Sequence, residues 1–175
     1  MLTLIVGGAA SGKSEYGERL SCALGITPRY YLATMRPMDD ESEMRVRKHQ
    51  RMRKNKGFET LERYTDLAHL SLPRRGLVLL ECMSNLVANE QFSRDGAGEH
   101  TVEAVLGGVE QVLRQSREMI VISNEVFSGG DDYAADTLRY LQYLGQINCA
   151  LAARASRVCE VVCGVPTYYK GAEPV

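Results

Sequence analysis

Gly7-Gly8-Ala9-Ala10-Ser11-Gly12-Lys13-Ser14 has the spacing Gly-x-x-x-x-Gly-Lys-Ser and follows the apolar run Leu4-Ile5-Val6 directly. Each position has a chemical use. Gly7 and Gly12 let the backbone turn so that successive N–H groups converge on an anion. Lys13, expected on an exposed loop, would reach the terminal phosphates, and Ser14 would offer a hydroxyl to Mg²⁺. A helix starting near Ser14 points its positive end at the same place. The motif predicts a P-loop, and so binding of a nucleoside triphosphate.

Two other stretches carry groups of interest. Leu77-Val78-Leu79-Leu80 is followed by Glu81, a carboxylate at the end of an apolar run, where P-loop proteins place an acid toward the metal. Ile120-Val121-Ile122 ends in Ser123-Asn124-Glu125; Asn124 and Glu125 could serve substrate, nucleotide or structure, and spacing does not decide. The segment from Arg45 to Lys56 holds seven cations, no acid and one histidine, His49. On a helix, Arg45, His49 and Arg53 share one face. Two readings stay open on these residues alone. One is a solvated basic face with a bystander imidazole. The other is a triphosphate clamp in which neighbouring cations keep His49 neutral and able to attack phosphorus. Aromatic residues that would stack on nucleic-acid bases are missing beside this segment.

The elements that must position these groups alternate between strand and helix. Strands are expected over Thr3–Val6, Arg29–Ala33, Phe58–Leu61, Gly76–Glu81, Met119–Ser123, Val158–Cys163 and Thr167–Lys170, several of them continuous apolar runs suited to a sheet buried on both faces. Helices are expected in the gaps, the most regular over Glu99–Gln115 and Tyr133–Ala155, with a polar loop over Ser93–Gly98. The fold class is α/β: one P-loop domain over 1–175 with a mostly parallel central sheet flanked by helices. Apolar residues make up 45% and the formal net charge is −1. That balance supplies no global field for nucleic acid or membrane. No apolar run is long enough to span a bilayer and no secretory signal is visible, so a cytoplasmic protein is expected. Five cysteines without metal-ligand spacing fit reduced thiols; Cys159 and Cys163, four apart, are expected on one face of one strand.

Further matching segments join the P-loop in a fixed order: Tyr31-Leu32-Ala33-Thr34, Asp40-Glu41, Arg45-Val46-x-x-His49, Thr60-Leu61-Glu62, Leu79-Leu80-Glu81-Cys82 with Asn85 and Asn89, Ser123-Asn124-Glu125-Val126, and Gly145-x-x-Asn148-x-x-Leu151-Ala152. Over nearly its full length the chain resembles the bifunctional adenosylcobinamide kinase/adenosylcobinamide-phosphate guanylyltransferase family, whose members have RecA-like domains. The resemblance implies that His49 carries GMP covalently and that Gly7 to Ser14 bind nucleotide phosphates. It further implies that Ala33, Thr34 and Met35, then Gln50, Arg51, Met52 and Arg53, and finally Glu62 and Glu81 line the nucleotide site. Mg²⁺ would be held through Ser14 and Glu81. Adenosylcobinamide would be phosphorylated with ATP or GTP, and GMP then transferred from GTP, in a homotrimer with the histidine helix near a subunit boundary. Without nucleotidyl transfer, the alternatives are a P-loop kinase of a small alcohol or a nucleotide-binding regulator. The chain departs from the family pattern at Ala10 (usually Arg), after His49 (Arg53-Lys54 in place of Arg-Pro), at Phe127-Ser128-Gly129-Gly130, and at Ser156 (commonly Asp).

Overall fold

The computed structural model describes residues 1–37, 44, 51, 53–126 and 133–174. Seven strands form one sheet: β1 (Leu2–Val6), β2 (Arg29–Ala33), β3 (Phe58–Glu62), β4 (Leu77–Leu80), β5 (Glu118–Ile122), β6 (Arg157–Val162) and β7 (Val165–Lys170), in the order β3-β2-β4-β5-β1-β6-β7. All neighbours are parallel except the antiparallel pair β6–β7. The helices are α1 (Lys13–Ala23), α2 (Met83–Phe92), α3 (Thr101–Gln115) and α4 (Ala135–Arg154).

Alternation along each strand divides the core into two layers. Leu4, Val78, Leu80, Met119 and Val121 point to the side covered by α2, α3 and α4. Ile5, Leu77, Leu79, Ile120 and Ile122 point to the side covered by Tyr16 and Leu20 of α1. Both sides are sealed, which is why β4 and residues Met119 to Ile122 of β5 read as continuous apolar runs. Such runs expose few backbone groups of their own, so chemistry collects where the strands end.

Most expected elements agree with the structure within a residue or two. Glu118 joins β5 because its buried carboxylate is held by Arg157, 2.9 Å away on β6. The expected strand over Val158–Cys163 stops at Val162, and Cys163 instead adopts φ 50° in the turn to β7. Cys163 is exposed and Cys159 buried, so the two thiols do not share a strand face.

Candidate nucleotide site at the carboxyl edge of the sheet

The P-loop leaves β1 and enters α1 through backbone that side chains disfavour. Gly7 has φ 152° and Gly12 φ 94°. A Cβ on Gly7 would lie 2.5 Å from the carbonyl oxygen of Val161, and one on Gly12 would lie 3.0 Å from Cα of Gly164. Both contacts come from the β6–β7 hairpin, whose tip also donates from Gly164 N–H to the Ser11 carbonyl at 2.8 Å. The loop is therefore braced from outside as well as bent from within.

Three features of the loop bear on anion binding. Ala10 takes the left-handed φ of 56°. The Ser11 hydroxyl is buried, with no hydrogen-bond partner among the described residues. Lys13, in place of the expected exposed loop position, opens α1 at only 7% exposure. Its Nζ donates to the Gly8 carbonyl at 2.5 Å, and burial holds its pKa below the ordinary lysine value. A buried ammonium carries a desolvation cost, and the oxygens of a polyanion would relieve it.

Glu81 sits one residue beyond β4, 6% exposed. Its Oε1 accepts from the Tyr31 hydroxyl at 3.0 Å, and its Oε2 accepts from Thr34 N–H at 3.1 Å and Met35 N–H at 3.3 Å. Burial, reinforced by the charge of Glu81, drives the Tyr31 phenol far above the ordinary tyrosine pKa, so it remains a donor. Thr34 is fixed again by its hydroxyl on the Cys82 carbonyl, 2.8 Å, and by Asn89 Nδ2 on its own carbonyl, 2.8 Å. The same Asn89 amide reaches the Tyr64 carbonyl at 3.0 Å, tying the segment after β2 to that after β3.

The Ser14 hydroxyl and the Glu81 carboxylate are hard oxygen donors, the kind Mg²⁺ accepts. Three hydrogen bonds occupy most of the carboxylate's lone pairs. The donor set thus fits a cation that keeps most of its own waters, with Glu81 contributing through one direction.

At the far edge, Glu62 is exposed and accepts from the Tyr64 hydroxyl at 3.0 Å. It lines a cavity of about 380 Å³ with Arg36, Tyr64, Thr65 and Asp95. Arg36 stacks over the Tyr64 ring and pairs with Asp95 at 2.9 Å, which holds the Asp95 carboxyl below the usual carboxylate range.

Of the basic segment, His49, Gln50 and Met52 lie outside the described residues, as do Arg45 and Asp40-Glu41. Arg51 is exposed. Arg53, which the first of the two sequence readings puts on a solvated face, is instead 7% exposed. Its guanidinium carbon lies 3.3 Å from the Tyr31 ring centroid, and its buried Nη1 has no hydrogen-bond partner among the described residues. Lys56 pairs at 2.6 Å with Glu18, a wholly buried carboxylate on α1. The end of the basic segment is therefore anchored to the sheet and to the P-loop helix.

The sheet order sets the spacing of these groups. Glu81 and Thr34 stand on neighbouring strands. The P-loop is separated from Glu81 by β5, about 10 Å across the sheet, and Glu62 lies about 19 Å from the P-loop strand. Ala33 pairs with Glu62 in register at that far edge. Tyr31 and Asn89 fall within the family-like segments, but their roles are not legible from the sequence: a tyrosine inside an apolar run reads as core, and only the fold shows its hydroxyl on Glu81.

A P-loop at the end of β1, an acid at the end of β4 and a mostly parallel sheet define a RecA-like nucleotide-binding domain. An ATPase domain of known structure has this fold, with a TM-score of 0.51, 10% identity, and cover of 91% of this chain and 68% of that one. The family model described as cobinamide kinase / cobinamide phosphate guanyltransferase matches residues 3–168, and the chain belongs to that family. It is 29% identical to the bifunctional adenosylcobalamin biosynthesis protein CobU of Escherichia coli (strain K12), over 94% of this chain and 97% of that protein. It is 34% identical, over the whole of both chains, to the bifunctional adenosylcobalamin biosynthesis protein CobP of Pseudomonas aeruginosa. No helix among the described residues is long and apolar enough to cross a membrane.

Proposed function

We propose that this protein phosphorylates adenosylcobinamide with ATP or GTP and then transfers GMP from GTP, through GMP carried on His49, to give adenosylcobinamide-GDP. The observation that supports it best is the braced P-loop. Its buried lysine and its Ser11 hydroxyl, unpartnered among the described residues, are donors held ready for phosphate, in a chain of the cobinamide kinase / cobinamide phosphate guanyltransferase family.

In the kinase step the loop N–H groups, Ser11 and the start of α1 bind the phosphates. Lys13 exchanges the Gly8 carbonyl for phosphate oxygens and stabilises charge as the terminal phosphoryl group passes to the corrinoid hydroxyl. Mg²⁺, held through Ser14 and Glu81, would supply charge neutralisation between the phosphates. Thr34, Met35 and Glu62 line the path of the nucleotide away from the loop. In the second reaction the neutral His49 imidazole attacks the α-phosphorus of GTP. An N–P bond forms as the bond to pyrophosphate breaks. An oxygen of the corrinoid phosphate then attacks the same phosphorus and releases the histidine. Arg51, Arg53 and the neighbouring cations stabilise the oxygens during both displacements. A homotrimer completes this reading.

Incubation of the purified protein with adenosylcobinamide, GTP and Mg²⁺ tests it. Mass spectrometry should show the phosphate ester first and the GDP ester after it. A corrinoid that stays unmodified overturns the proposal.

A further inference from the structure

Ser123-Asn124-Glu125, left open by the sequence, occupies a particular place in the fold. β5 runs between the P-loop strand and the strand that ends in Glu81. Its residues are apolar from Met119 to Ile122, and the chain turns polar where it crosses the carboxyl edge of the sheet. Ser123 N–H donates to the Ile5 carbonyl at 2.8 Å, and Glu125 N–H donates to the carbonyl of Gly7, the first P-loop residue, at 3.0 Å. Asn124 lies between these two bonds, two residues past the end of β5.

Its side chain completes the link. Asn124 Nδ2 donates to the Ser84 hydroxyl at 3.0 Å, in the first turn of α2 and three residues after Glu81. The Cys82 sulfur lies 3.9 Å from the same amide. Asn148 of α4 braces the other side: its Oδ1 accepts from the Ser123 hydroxyl at 2.6 Å, and its Nδ2 donates to the Asn124 carbonyl at 3.4 Å. Ser123 is wholly buried and Ser84 nearly so. Polar side chains at a strand end carry a desolvation cost that apolar ones would avoid, and this hydrogen-bonded set, its hydroxyls buried and its amides half-buried, favours one geometry. The geometry fixed here is the separation between the P-loop and the Glu81 arm, the two sides of the phosphoryl-transfer site.

We propose that Asn124 is a positioning residue for phosphoryl transfer, which through Ser84 holds the start of α2 and Glu81 in register with the P-loop. The proposal rests on the kinase reading given above. Its effect falls on the alignment of reacting groups more than on nucleotide binding, because the phosphates are gripped by the loop itself.

The test is steady-state kinetics of corrinoid phosphorylation by Asn124→Ala, Ser84→Ala and the double variant, with thermal melts of each. Each single change should lower kcat by about tenfold to a hundredfold, the scale of a misplaced reacting group, with nucleotide KM nearly unchanged. The double variant should fall no further than the worse single one, because both remove one bond. An unchanged kcat in Asn124→Ala, additive losses in the double variant, or a loss that follows only the fraction unfolded would each overturn the assignment. Should Asn124→Ala not fold, Ser84→Ala decides by the same kcat-against-KM split. Wild-type protein inactive on the corrinoid would instead refute the kinase reading, so the two failures are distinguishable.

Discussion

Glu81→Gln separates the charge of this carboxylate from its hydrogen bonds. Three donors converge on Glu81: the Tyr31 hydroxyl, Thr34 N–H and Met35 N–H. A glutamine oxygen can keep the two backbone donors, while its amide nitrogen meets Tyr31, whose hydroxyl can rotate to accept. What disappears is charge assistance to these bonds, about 1–3 kcal/mol in total. For a chain of this length that lowers Tm by roughly 2–12 °C. Glu81→Ala is harsher, because donors on the buried Tyr31 and Thr34 lose their acceptor, at about 1–3 kcal/mol each. Glutamine is therefore the variant that reports on chemistry. If Glu81 orients Mg²⁺, the Mg²⁺ midpoint for corrinoid phosphorylation rises about tenfold or more in Glu81→Gln, as when a group supporting a metal ligand is lost. Nucleotide affinity measured without divalent metal should not change. A Mg²⁺ titration superimposable on wild type, with the protein folded, refutes the metal role and leaves Glu81 as the clamp on Thr34 and Met35.

Lys13→Ala should lower phosphoryl transfer at least about a hundredfold, the scale of losing one transition-state donor, and turnover within a few-fold of wild type would contradict the cradle. Gly12→Ala forces a side chain into φ 94° and to 3.0 Å from Gly164, so Tm and nucleotide affinity should both fall, with strain of about 1–3 kcal/mol; a melt and a nucleotide titration matching wild type would contradict the bracing by the hairpin. Lys56→Met strips the partner from the wholly buried Glu18, whose Oε1 has none among the described residues, and should destabilise the fold by about 3 kcal/mol in urea denaturation; an unchanged midpoint would contradict the anchoring role of this pair.

The sequence carries the parts of the site that local spacing encodes. Gly7, Gly12, Lys13 and Ser14 are adjacent, so their turn and helix start are legible, and Glu81 is marked by the apolar run before it. Long-range contacts are not legible in that way. Gly164 braces a loop more than 150 residues earlier, and nothing around Gly164 announces its partner. Lys13 reads as exposed because loops usually are, yet it opens α1 buried, its Nζ turned back on the Gly8 carbonyl. Arg53 lies in a run of cations that suggests a solvated face, yet one buried tyrosine ring is enough to draw its guanidinium inward. Tyr31 shows the same limit from the other side. Its apolar body fits a central strand, and its polar tip acquires meaning only when β4 places Glu81 against it.

Guanylyl transfer through His49 is tested directly by incubation with α-labelled GTP followed by denaturation and peptide mapping. Wild-type protein should retain one GMP on His49, labile to acid and stable to base as a phosphoramidate is. His49→Ala should retain none while still phosphorylating adenosylcobinamide. His69 and His100 are both largely exposed, each beside a carboxylate, and serve as internal controls. Label that maps to either of them, or that persists in His49→Ala, contradicts transfer through His49.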